Sequence, residues 1–137
     1  MRSLICCMLA VSLVACGGSN STTAPPPPSV LGTWDLVTVN GDSLPFTLSH
    51  AGGADQLWVD EALTLRSDGS FLLEGDLQEN AGSQVSKSNY VEAGTFTVSG
   101  SAISLVYNGG ASTGSGSYSG NTMHVSAQSY ALVYVHR

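Results

Sequence analysis

The sequence contains no cysteine after residue 16; its three are Cys6, Cys7 and Cys16. A folded body beyond that point has no disulfide, no thiolate metal ligand and no thiol nucleophile, so an apolar core alone must hold it. Basic residues are almost as scarce. Beyond residue 30 only Arg66, Lys87 and Arg137 stand against ten carboxylates, a formal charge of −7. Nucleic-acid binding requires a basic surface, and docking on anionic headgroups requires a polybasic cluster; the composition argues against both. No apolar run reaches the roughly 20 residues of a membrane-spanning helix, and no sustained 3.6-residue apolar spacing follows Cys16.

Catalytic and metal-binding signatures are missing too. His50, His124 and His136 are scattered, without the His-x-x-x-His spacing that sets two imidazoles on one helix face. No serine occupies a Gly-x-Ser-x-Gly elbow between a strand and a helix; Gly114-Ser115-Gly116 lies inside a strand pattern. Asp60-Glu61, and Glu74 with Asp76, are paired carboxylates, but no calcium-loop spacing surrounds them. Glu74 and Asp76 share one strand face and read as solvated. Gly52-Gly53 and Gly109-Gly110 lack the flanking Lys of a phosphate loop. The chain reads as a non-enzyme with no metal and no cofactor.

What fills it instead is short alternation punctuated by turns, the pattern of an antiparallel β protein. Residues 33–39 form the first predicted strand, and Asn40-Gly41 is a strong hairpin signal because both residues tolerate positive φ. Residues 43–48 return as a short strand; Pro45 has no N–H, which places it at an edge or an irregularity. Residues 50–56 read as a small-residue loop with room for a helical turn. Residues 57–66 follow as a strand with Leu63 and Leu65 inward, then the turn Ser67-Asp68-Gly69-Ser70, then residues 71–74. Residues 77–87 are polar and unpatterned and read as an exposed loop. Residues 89–98 make a long strand in which Gly94 suggests a bulge. Residues 102–107, 112–118, 122–127 and 131–136 complete the series, with Ile103, Leu105, Tyr107, Met123, Val125 and Ala127 inward.

Eight or nine strands joined in sequence by short turns predict an all-β, up-and-down antiparallel meander that closes into a barrel and so removes its edges. A two-sheet β-sandwich is the alternative that the same patterning permits.

Ahead of this body, Arg2 and an apolar run over residues 4–14 have the parts of a secretory signal. The run ends in Leu13-Val14-Ala15-Cys16, which resembles a bacterial lipobox. That resemblance implies diacylglyceryl on the Cys16 sulfur, cleavage after Ala15 and acylation of the new amine. Each buried CH₂ contributes about 0.8 kcal/mol, so several chains make a lasting membrane anchor. Gly17, where Asp would favour retention in the inner membrane, implies the outer membrane. Residues 17–24 are flexible by composition, and Pro25 to Pro28 form a stiffer polyproline piece. The expected organisation is therefore a lipoprotein signal peptide over 1–15, a lipidated Cys and Pro-rich tether over 16–30, and one β domain over 31–137.

Gly32-Thr33-Trp34 resembles the Gly-x-Trp opening of lipocalin-like domains. Leu44-Pro45-Phe46, Asp68-Gly69-Ser70-Phe71, Gly94-Thr95-Phe96-Thr97-Val98 and Leu132-Val133-Tyr134 continue the similarity to small bacterial lipocalin-like lipoproteins across the whole body. The resemblance implies that Trp34 plugs one barrel end, with Arg137 as the residue packed across it. The Thr-Asp-Tyr motif and C-terminal helix of the core lipocalins are missing.

An eight-stranded barrel interior holds either side chains or one small ligand. Trp34, Phe46, Trp58, Phe71, Phe96 and Tyr107 are the candidate interior residues. Plain core packing is the first reading of these residues; the alternative is a cavity for a small apolar ligand whose mouth lies near residues 51–58 and 77–87. A filled barrel acting through its surface, as a structural or interaction module of the envelope, is the competing expectation.

Overall fold

The computed structural model describes residues 29–110 and 112–137. The leader, Cys16 and most of the tether lie outside them. Ten strands follow one another: β1 (Gly32–Val39), β2 (Asp42–Ser43), β3 (Phe46–Ala51), β4 (Ala54–Leu65) and β5 (Ser70–Ala81). Then come β6 (Gln84–Ser99), β7 (Ala102–Tyr107), β8 (Thr113–Ser119), β9 (Thr122–Ala127) and β10 (Tyr130–His136). No helix occurs among the described residues.

From β3 through β10 each strand pairs antiparallel with the next, and β10 returns to β1. Strand β1 also pairs with β4, Gly32 opposite Leu65 and Asp35 opposite Ala62. That second pairing closes β1 and β4–β10 into an eight-stranded up-and-down barrel, with β2 and β3 as two short additions. Closure decides against the open sandwich. The expected barrel follows from its cause: alternating residues bury one face, and consecutive strands are spatial neighbours.

The two ends differ. One holds the start of β1 and the turns β4–β5, β6–β7 and β8–β9. There Trp34, Leu63, Leu65, Phe71, Ile103 and Met123 are nearly or wholly inaccessible. Burying a large apolar side chain stabilises by about 1.5–3 kcal/mol, so this layer carries much of the fold. Trp34 also donates its indole N–H to the Val30 carbonyl at 2.8 Å. The ring packed against it is His136, edge-on at 4.7 Å between centroids. Arg137 turns instead to Asp35, with Nε–Oδ2 at 3.0 Å and Nη2–Oδ1 at 2.5 Å. The expected plug is in place, but the residue across it is the histidine.

At the other end the sequence expectations need correction. Residues 77–87 are a hairpin rather than a loop: β5 runs on to Ala81 and β6 starts at Gln84, with Ala81 opposite Gln84. Both faces of its tip are solvated, so no apolar alternation marks these strands. Likewise β3 and β4 meet over Gly52-Gly53, with Ala51 opposite Ala54 and no helical turn. Pro45 falls between β2 and β3 and splits the single short strand expected there. Gly94 is not at a bulge: its pairings to Phe71 and Tyr107 are regular. It is a close approach, since a Cβ there would sit 2.1 Å from the Val106 carbonyl oxygen. Register shifts occur instead between Leu36 and Thr38, Thr47 and Ser49, and Trp58 and Asp60.

Candidate functional site

Strand β4 has two halves. Residues 62–65 pair with β1, and residues 54–58 pair with β3. The register shift between Trp58 and Asp60 separates them. Strict alternation would send Trp58 and Glu61 to opposite faces. The extra residue rotates the strand so that both line the interior.

Above the plugged end the barrel is open. A cavity of about 490 Å³ occupies the β2–β3 end, lined by Trp58, Leu73, Leu77, Tyr90, Tyr107 and Tyr130 among others. Its volume lies in the ~300–1,000 Å³ range of small-molecule sites, which are mostly apolar with a few placed polar groups. The aromatic rings support one another edge to face: Trp58 meets Tyr130 at 5.8 Å and Tyr90 at 6.5 Å, and Phe46 meets Tyr130 at 6.1 Å. The Trp58 indole N–H is buried without a hydrogen-bond partner.

Glu61 lines the inner part of this cavity and is only 4% exposed, the single buried charged residue among those described. Tyr90 donates to its Oε2 at 2.5 Å, and Tyr134 donates to its Oε1. Gly75 makes room for the first bond. It sits opposite both Glu61 and Tyr90, and the Tyr90 phenol lies over the space a Cβ would take. Burial disfavours the charged carboxylate and lifts its pKa from 4.5 to about 7. The phenol hydrogen bonds from Tyr134 and Tyr90 pull the other way, while the Glu92 charge adds to the rise. Burial and the nearby Glu61 charge push Tyr107 up to about 12 and hold Tyr90 and Tyr134 well above the ordinary phenol value.

Glu61 and Tyr90 also border a groove of about 400 Å³ at the β1–β4 seam, where Asp35, Asp60, Asp76 and Arg137 contribute. Glu61 thus stands in the wall between an interior cavity and an acidic outer groove. Among the described residues no group of three His, Cys, Asp or Glu side chains converges to hold a metal ion.

The structure divides the six interior candidates. Trp58 and Tyr107 line the cavity. Phe46 packs at its rim against Tyr130. Trp34 and Phe71 are fully buried in the plugged layer, and half-buried Phe96 packs against the same core. Cys16 lies outside the described residues. Sequence reasoning missed Glu61, Tyr90, Tyr130 and Tyr134. A signal for Glu61 was present, because alternation back from Leu63 puts it inward. Tyr130 and Tyr134 alternate with inward Leu132 in the same way, but that they meet Tyr90 and Glu61 depends on which strands close the ring.

Compared with protein families, with curated proteins and with solved structures, the chain matches none.

Proposed function

We propose that this chain is a lipid-anchored cell-envelope protein of lipocalin-like type whose barrel holds one small apolar or amphipathic molecule in its open end. The observation that carries the ligand reading is the 490 Å³ cavity, walled by Trp58, Tyr90, Tyr107 and Tyr130, above a plugged and fully buried layer. A filled barrel acting only through its surface would have no need of such a space.

The anchor rests on Leu13-Val14-Ala15-Cys16 behind an apolar leader, and Gly17 favours the outer membrane. The described chain enters β1 at the plugged end, opposite the cavity mouth. A tether from Cys16 therefore joins the domain at its plugged end. The role is binding rather than catalysis: the carboxylates that line the cavity, Glu61 and Glu92, have no Ser, Cys, Lys or His lining it beside them.

The test uses protein purified from membranes in mild non-ionic detergent. Mass spectrometry should find Cys16 as the N-terminal residue carrying acyl chains. The neutral fluorophore N-phenyl-1-naphthylamine should bind saturably, and Leu77→Trp, which fills the mouth, should abolish that binding. An unlipidated Cys16 overturns the anchor. Absent binding, or binding indifferent to the filled mouth, overturns the ligand site.

A further inference from the structure

Resting on the reading of the open end as a ligand site, we propose that its ligand is an organic cation: an apolar body with one protonated amine, which docks on Glu61. The cavity selects by charge. Two carboxylates, Glu61 and Glu92, line it, and no Lys, Arg or His does. The basic residues of the body are elsewhere: Arg66 and Lys87 are exposed, and Arg137 is committed to Asp35. A buried carboxylate ordinarily has a cationic partner, and among the described residues none is supplied to Glu61.

The hydrogen bonds around Glu61 are built for its ionised form. One phenol donates to each oxygen, and each oxygen keeps a further lone pair for a third donor. Protonation would turn one oxygen into a donor and reverse one of these bonds. Burial nonetheless opposes the charge. An ammonium entering from the mouth resolves that conflict, because it pairs with the anion where water is largely excluded. The rings of Trp58, Tyr90, Tyr107 and Tyr130 add electron-rich faces that attract a cation. An anionic ligand such as a fatty acid would meet Glu61 and Glu92 at close range and be rejected.

The groups that face Glu61 are Tyr90 and Glu92 from β6, Tyr107 from β7 and Tyr134 from β10. Strand β5 presents Leu73 to the cavity, while its Glu74, Gly75 and Asp76 border the groove, as do Leu36 and Asp35 of β1 and Arg137 just after β10. Burial lifts the Glu61 pKa to about 7. Amine binding near pH 6 should therefore expel its proton.

The test compares 3-phenylpropylamine, 3-phenylpropanol and 3-phenylpropanoate by calorimetry on the full chain in mild non-ionic detergent. At pH 8 the amine should bind at least about tenfold tighter than the alcohol, as a hydrogen bond to a charged group requires, and the carboxylate should bind weakest. Glu61→Gln should bring the amine to within about twofold of the alcohol measured on the same variant. On the unmodified chain at pH 6, buffers of different ionisation heat should reveal proton release with the amine and none with the alcohol. Alcohol binding without an amine preference, or without proton release on amine binding, overturns the cation assignment and spares the ligand site. Failure of all three probes to bind overturns both.

Discussion

The phenol of Tyr134 on β10 donates a hydrogen bond to the Glu61 carboxylate on β4, reaching past β1, which lies between those strands in the barrel wall. Residues 73 positions apart are thereby joined inside the ring. With Tyr90 on the other oxygen, the carboxylate ties three strands together beneath the cavity. The most polar contact of the interior is thus part of both the fold and the candidate site.

Stability should depend on pH through Glu61. Its folded pKa of about 7 lies above the ordinary value of 4.5, so between the two the folded chain binds more protons than the unfolded one. The stabilisation is fully present below pH 4.5 and is lost as pH rises to about 7. The loss is on the order of 3 kcal/mol. Urea unfolding at pH 5 and pH 8 should show this decline in the unmodified chain and a much flatter profile in Glu61→Gln. Equal slopes in the two proteins would refute it.

Tyr134→Phe removes a donor that favours the ionised carboxylate and leaves one oxygen buried without its partner. The expected cost is about 1–3 kcal/mol at pH 8 and less at pH 5, where Glu61 is protonated. The carboxyl pKa, read by carbon NMR, should rise further. A cost that does not change with pH would mean that the tyrosine acts only by filling space.

Gly75→Ala tests the room made for Tyr90. The added Cβ would lie 2.5 Å from the phenol oxygen and 2.8 Å from the Asp60 carbonyl oxygen. The ring must move, and its bond to Glu61 is lost. Destabilisation of about 1–3 kcal/mol should accompany an upward shift of the Glu61 pKa. An unshifted pKa would show that the bond survives and the argument fails.

The barrel was legible wherever one strand face is buried. Leu63 with Leu65, Ile103 with Leu105, and Met123 with Val125 repeat at two residues because each pair points into the core. Where a strand is solvated on both faces, as from Glu79 to Lys87, nothing in the sequence separates it from a loop. Glu61 was legible by position and hidden by type, since a glutamate on an inward face contradicts the usual rule for charge. Its companion Trp58 required the register shift at Val59, which no local pattern announces.

The two tryptophans give the sharpest contrast. Trp34 is wholly inaccessible, bonded to Val30 and packed edge-on against His136, so Trp34→Ala opens a large void in the plugged layer. It should cost about 3–5 kcal/mol. Trp58 is half-buried at the cavity wall, and its N–H has no partner. Trp58→Phe keeps a ring there while removing the unsatisfied donor, so stability should stay within about 1 kcal/mol of the unmodified chain. Affinity for 3-phenylpropylamine should nevertheless fall, because Phe presents a weaker face to a cation. Urea midpoints and calorimetry on both variants separate the two roles. Should Trp58→Phe unfold the barrel as readily as Trp34→Ala, the open end would belong to the core and the cavity would lose its claim to a ligand.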